Sequence, residues 1–111
     1  ATHMLAVADG SDFMGSLRNP AAWNNVFGMR PSESRVPRWP AQDVWVTLLS
    51  TEGPMGRSVR DVALLLDVQA GYDPRTPLSL AREEPFAGSL ASTNPSRNVL
   101  TCARFTCGAA G

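Results

Sequence analysis

No lysine occurs in this chain. All ten of its basic residues are arginine, and ten Asp and Glu balance them to a formal net charge of zero. A chain so balanced offers no basic stripe to a nucleic-acid backbone and no polybasic face to an anionic membrane, so neither partner is expected. Histidine is nearly absent. His3 is the single copy, so any Ser-His-Asp arrangement would have to use His3, Ser16 and Asp12, with the histidine close to a terminus. Cysteine appears only as Cys102 and Cys107. A C-x4-C spacing with one distant histidine falls short of the four ligands of a structural zinc site, and two inert thiols or a small disulfide loop remain. No metal and no cofactor are expected. Long apolar runs are missing, since none approaches the roughly 20 residues needed to cross a bilayer. The opening residues Ala1-Thr2-His3-Met4-Leu5 lack the basic start and apolar stretch of a secretory leader, and the expected compartment is cytoplasmic. The first residue is not Met, as a truncated or partial reading frame would give.

What is present fits one small domain. A chain of 111 residues buries roughly two-thirds of its unfolded surface, enough for a modest core. Leu5-Ala6-Val7-Ala8 reads as a buried strand running into the Asp9-Gly10 turn. Gly10 to Asn19 reads as loop. Pro20 suits a first helical turn, so a short helix is expected from Pro20 to about Asn25. Val26-Phe27-Gly28-Met29, closed by Arg30-Pro31, suggests a second buried strand. Ser32 to Gln42 is broken by Pro37 and Pro40. Val44-Trp45-Val46-Thr47-Leu48-Leu49 carries strand-type residues. The clearest signal follows. Ser58-Val59-Arg60-Asp61 has the form of a capping box, and Val59, Val62, Ala63, Leu66 and Ala70 recur on one helical face. Gly71 and Pro74 then stop the chain, so a helix is predicted from Val59 to Ala70. Beyond Phe86 no period persists, and residues 87–111 are expected to form a divergent or disordered tail to a domain spanning residues 1–86.

One loop carries chemistry. A serine hydroxyl is a weak nucleophile that needs a base to take its proton and donors to hold an oxyanion. In Asp12-Phe13-Met14-Gly15-Ser16-Leu17-Arg18, the backbone N–H groups of Phe13, Met14 and Gly15 are candidate oxyanion donors. Asp12 is a candidate to fix the loop by hydrogen bonds, and Arg18 to tie it down through its fork of donors. Spacing alone makes this weak, because a serine in a Gly/Ser loop is usually structural. Other motifs fail. Gly56-Arg57-Ser58-Val59-Arg60 misses the G-x-S-x-G elbow, and Ser58 serves better as a helix cap. Gly10 to Gly15 has P-loop glycine spacing, but Ser16-Leu17 stands where Lys-Ser/Thr is needed. Trp23 could line an acyl pocket beside Ser16, although packing in the core or facing a partner is the plainer role for it and for Trp39 and Trp45.

The loop resembles the core of the amidase signature family. Asp12, Met14-Gly15-Ser16, Leu17, Arg18, Asn19 and Pro20-Ala21 follow that family's order. Val26-Phe27-Gly28-Met29-Arg30-Pro31-Ser32 resembles its strand and Arg-Pro-Ser turn, with Arg35-Val36-Pro37 after it. Gly53-Pro54-Met55-Gly56-Arg57-Ser58-Val59-Arg60-Asp61-Val62-Ala63 resembles its Gly-Pro-Met segment and helix. Together these cover roughly Val7 to Leu80. Ser34 departs from the pattern, standing where the family usually has glycine.

The resemblance implies an α/β fold, of which this chain is a fragment: a mixed β-sheet flanked by helices. It implies that Ser16 is the nucleophile, that Phe13, Met14 and Gly15 supply the oxyanion hole, and that a small carboxamide is the substrate. It implies a relay in which a lysine takes the serine's proton through a second serine. Both would fall before Ala1, so the chain alone is expected to be inactive. A non-catalytic remnant or partner-binding module is the alternative, and exposed sheet edges are expected to favour self-association.

Overall fold

The computed structural model describes residues 2–45, 49–82 and 85–90. Strand β1 (Val7–Asp12) leads through a short turn into helix α1 (Arg18–Trp23), then strand β2 (Phe27–Gly28), strand β3 (Thr51–Gly56), helix α2 (Val59–Gln69) and the short helix α3 (Phe86–Ser89). The sheet has the order β1-β3-β2, and β3 pairs antiparallel with both neighbours. The α/β layering is the one expected.

Element positions differ from the reading of the sequence in physically informative ways. The first strand begins at Val7, not Leu5, and runs through the supposed loop as far as Asp12. Nor is it a buried apolar strand. Its outward residues Val7, Asp9 and Ser11 are exposed, while Ala8, Gly10 and Asp12 alternate inward. The central strand, β3, consists of Thr51-Glu52-Gly53-Pro54-Met55-Gly56, a composition that argues against a strand. Val44, Trp45 and Leu49, expected in a strand, lie in bends and a turn, and residues 46–48 lie outside the described residues.

Pro54 sets the length of β2. Met29 donates its N–H to the Pro54 carbonyl at 3.0 Å. The return bond of that pair needs an N–H on Pro54, which has none, and β2 ends at Gly28.

The helices lie on opposite faces of β3. Gly10 and Gly53 oppose each other across β1 and β3. A Cβ on Gly10 would stand 3.2 Å from Leu17 Cδ2, and one on Gly53 would stand 3.0 Å from Leu17 Cδ1 and collide with the Met29 carbonyl oxygen. A Cβ on Gly28 would stand 2.6 Å from the Ala21 Cβ and 2.9 Å from the Leu17 carbonyl oxygen. One glycine from each strand thus clears a bare patch on which Leu17, fully buried, and α1 lie directly against backbone. Gly56 is three residues beyond Gly53 and so faces the other side. There a Cβ would meet Val62 at 3.3 Å, and α2 buries Val62, Ala63 and Leu66.

The helix ends follow from local chemistry. The hydroxyl of Ser58 accepts from the Asp61 N–H, and the Asp61 carboxylate accepts from the Ser58 N–H, both at 3.1 Å. This is the capping box expected. Gly71, at φ 149°, follows the C-cap. Helix α1 begins at Arg18 rather than Pro20 and stops in a Schellman turn. Asn25 at φ 52° donates to the Ala22 carbonyl, and Val26 donates to that of Ala21. Ser34 keeps the left-handed turn at φ 65° without the glycine usual there. Helix α3 straddles the boundary expected at residue 86. The Asp67 carboxylate accepts from the N–H groups of Phe86 and Ala87 at 2.6 and 3.0 Å. Residues 91–111, with the expected tail and both cysteines, lie outside the described residues.

Candidate active site

Asp12 ends β1 with its carboxylate fully buried. Buried charge is costly unless saturated with partners, and Asp12 is saturated. Its Oδ1 accepts from the Gly15 N–H at 2.6 Å and from Nη2 of Arg18 and Nη1 of Arg30, both at 3.1 Å. Its Oδ2 accepts from Arg18 Nε at 2.9 Å and, more loosely, from the N–H groups of Leu17 and Arg18 at 3.3 and 3.4 Å. The Arg18 guanidinium, aided by the backbone N–H groups and opposed by burial, holds the carboxyl well below the usual carboxylate range.

This carboxylate shapes the turn that carries Ser16. Gly15 is buried at φ 121°, a conformation that side chains disfavour. A Cβ there would also meet the Asn19 amide at 2.7 Å. The Asn19 N–H donates to the Gly15 carbonyl at 2.7 Å, so the first turn of α1 begins directly beneath Ser16. Leu17, locked on its glycine patch, fixes one side of Ser16, and the Asp12–Gly15 bond fixes the other. Ser16 itself is exposed. Phe13 and Met14 at the tip of the turn are 52% and 81% exposed, and among the described residues their N–H groups form no hydrogen bond. The Gly15 N–H, by contrast, is turned inward onto Asp12.

The structure therefore brings Asp12, Gly15, Ser16 and Arg18 into one tight unit, with Phe13 and Met14 at its rim. It does not bring His3 to Ser16. Nδ1 of His3 lies 2.6 Å from the Arg57 guanidinium, and Asp12 is already occupied by arginines. Trp23 is 82% exposed near the far end of α1, roughly 10 Å along the axis from Ser16. A small cleft of mixed lining, bounded by Ser32, Glu33, Val36, Val44, Thr76 and Leu78, does not include Ser16. Among the described residues no cluster of His, Cys, Asp and Glu could hold a metal ion, and no helix is long and apolar enough to cross a membrane.

Sequence reading missed Arg30 as part of this unit. It lies 18 positions from Asp12 and reads locally as the end of an apolar run. No periodicity links it to the loop, and only the pairing of β2 with β3 brings it there.

The chain as a whole is similar to known proteins. The family model described as Amidase matches residues 1–103. In Pseudomonas savastanoi pv. phaseolicola, the A component of glutamyl-tRNA(Gln) amidotransferase is 41% identical over 96 residues, covering 86% of this chain and 19% of that protein. A bacterial aryl acylamidase of the amidase signature family superposes with a TM-score of 0.71 at 41% identity, over 78% of this chain and 18% of that one. A 6-aminohexanoate cyclic dimer hydrolase does so with a TM-score of 0.70 at 33% identity, over 81% of this chain and 19% of that one. The chain spans about a fifth of the length of these relatives. Through its ordered motifs, its matched length and its shared fold, the chain belongs to the amidase signature family, a family of amidases and amidotransferases.

Proposed function

We propose that this chain carries the nucleophile of a carboxamide hydrolase, and that Ser16 is that nucleophile. The observation that supports this best is the exposed Ser16 on a turn whose shape is fixed from beneath by a buried, fully partnered carboxylate. Such preorganisation is what acyl transfer requires. Ser16 Oγ attacks the carbonyl carbon, and the developing oxyanion is held by the N–H groups of Phe13 and Met14. Gly15 contributes its conformation, its own N–H being committed to Asp12. The C–N bond then breaks, ammonia or an amine leaves, and water releases the acid from the acyl-serine.

The proton of Ser16 must go to a base. The family resemblance calls for a second serine and a lysine, and these 111 residues contain no lysine. By themselves they are proposed to be inactive, because losing members of such a catalytic unit costs about 10³- to 10⁶-fold in rate. The substrate class is a small-molecule amide.

The test is reconstitution. Residues 7–80 replace the matching stretch of the bacterial aryl acylamidase, so that the relative supplies the base relay. The chimaera should hydrolyse an aryl acylamide, Ser16→Ala should abolish this, and the 111-residue chain should show none. An active Ser16→Ala chimaera would sink the proposal.

A further inference from the structure

Arg30 holds three backbone and side-chain acceptors at once. Its Nη1 donates to Asp12 Oδ1 at 3.1 Å and reaches the Phe13 carbonyl at 3.4 Å, and its Nη2 donates to the Leu49 carbonyl at 2.9 Å. Its side chain is 26% exposed. Pro31 follows immediately, and Met29 before it is bonded to Pro54, so the root of the side chain is fixed to the sheet.

The Phe13 contact bears on the proposed oxyanion site. The Phe13 carbonyl and the Met14 N–H belong to one peptide plane and, in the trans form, point in opposite directions. A guanidinium that holds the carbonyl on one side therefore aims the Met14 N–H to the other. Asp12 cannot do this, since its bonds reach Gly15, Leu17 and Arg18 but neither Phe13 nor Met14. Arg18 has both of its contacts on Asp12. The two residues at the exposed tip would otherwise be free to rotate.

We infer that Arg30 is a positioning residue. It locks the Phe13–Met14 peptide so that the Met14 N–H is presented as an oxyanion donor, and it couples that peptide to the entry of β3 through Leu49. The catalytic half of this inference rests on the reading of Ser16 as nucleophile. The positional half does not. Lysine cannot replace Arg30, because an ammonium is a point donor without the planar fork that spans Asp12, Phe13 and Leu49.

Chymotrypsin reads the locked bond directly, since it cuts after Phe13. At low micromolar concentration, Arg30→Lys and Arg30→Met should raise the cleavage rate at Phe13–Met14 about tenfold, while cuts after the exposed Trp23 and Tyr72 stay at the rate of the unmodified chain. In the aryl acylamidase chimaera, Arg30→Lys should lower kcat about tenfold with KM unchanged. Unchanged cleavage at Phe13, or equal acceleration at all three sites, would overturn the positional role. Selective cleavage with unchanged kcat would overturn the catalytic one. Activity surviving in the Ser16→Ala chimaera would instead remove the nucleophile, leaving the protease result to judge Arg30 alone.

Discussion

Arg18 grips Asp12 as a fork, Nε to Oδ2 at 2.9 Å and Nη2 to Oδ1 at 3.1 Å, from a guanidinium half in solvent to a carboxylate wholly out of it. The pair lies under the turn that carries Ser16, so the stability and the shape of the site have a common origin. Removing the carboxylate leaves Arg18 and three N–H groups without their acceptor and takes from Arg30 one of its three. Asp12→Ala is expected to cost about 3–5 kcal/mol. A small domain has little more than that to lose. The urea midpoint of the chain at low micromolar concentration checks it, and a change under about 1 kcal/mol would contradict the central place given to this carboxylate.

The same group predicts acid sensitivity. The folded-state pKa of Asp12 is depressed from its ordinary 3.8, so the folded state binds fewer protons than the unfolded one. Its stabilisation is complete well above about pH 4 and is lost as pH falls through and below that value. Asp73, held at about 2 by Arg75, acts in the same sense at the surface. The urea midpoint should fall between about pH 5 and pH 2, and less steeply in Asp12→Ala. Parallel profiles would show that Asp12 is not the group responsible.

Gly28 tests the bare patch under α1. Its missing side chain admits the Ala21 Cβ and the Leu17 carbonyl, and the second of these is backbone that cannot rotate away. Gly28→Ala should destabilise by about 1–3 kcal/mol through overpacking. A midpoint equal to that of the unmodified chain would mean that α1 lies looser on β2 than described.

Much of this arrangement was legible in the sequence. The loop from Asp12 to Arg18 was, because its logic is local: a carboxylate, a glycine and an arginine within a single turn. So was α2, where a capping box and a helical period agree. Strand β3 was not, because Thr51-Glu52-Gly53-Pro54-Met55-Gly56 has few strand-forming residues and a proline that cannot donate to a ladder. Gly53 is there to admit Leu17 and the Met29 carbonyl and Gly56 to admit Asp61 and Val62, a tertiary demand that outweighs propensity. Arg30 was invisible for the same reason. Its partners are assembled only when the sheet forms.

Ser34 offers a gain rather than a loss. It sits at φ 65°, where a side chain is strained, while its carbonyl accepts from the Leu80 N–H at 2.9 Å. Ser34→Gly relieves that strain and keeps the bond. Relief of about 1–2 kcal/mol against an entropic loss of about 0.4–1 kcal/mol predicts a small rise in Tm. A fall would mean that the serine side chain contributes something that the turn geometry does not show.

Exposed edges predict self-association. Among the described residues β1 pairs only through its β3 side, and Met4, Leu5, Met14 and Trp23 are all more than 70% exposed. Sedimentation velocity should show species above the 11.9 kDa monomer, increasing with concentration. A single monomeric boundary at all loadings would refute this.

The central claim is that Ser16 is a nucleophile waiting for a base that these 111 residues do not contain. Mapping a fluorophosphonate adduct by peptide mass spectrometry tests it most directly. The account predicts a single adduct on Ser16 in the aryl acylamidase chimaera, lost in Ser16→Ala, and none on the 111-residue chain. Robust labelling of Ser16 in the chain alone, or an adduct at another serine in a folded chimaera, would contradict it.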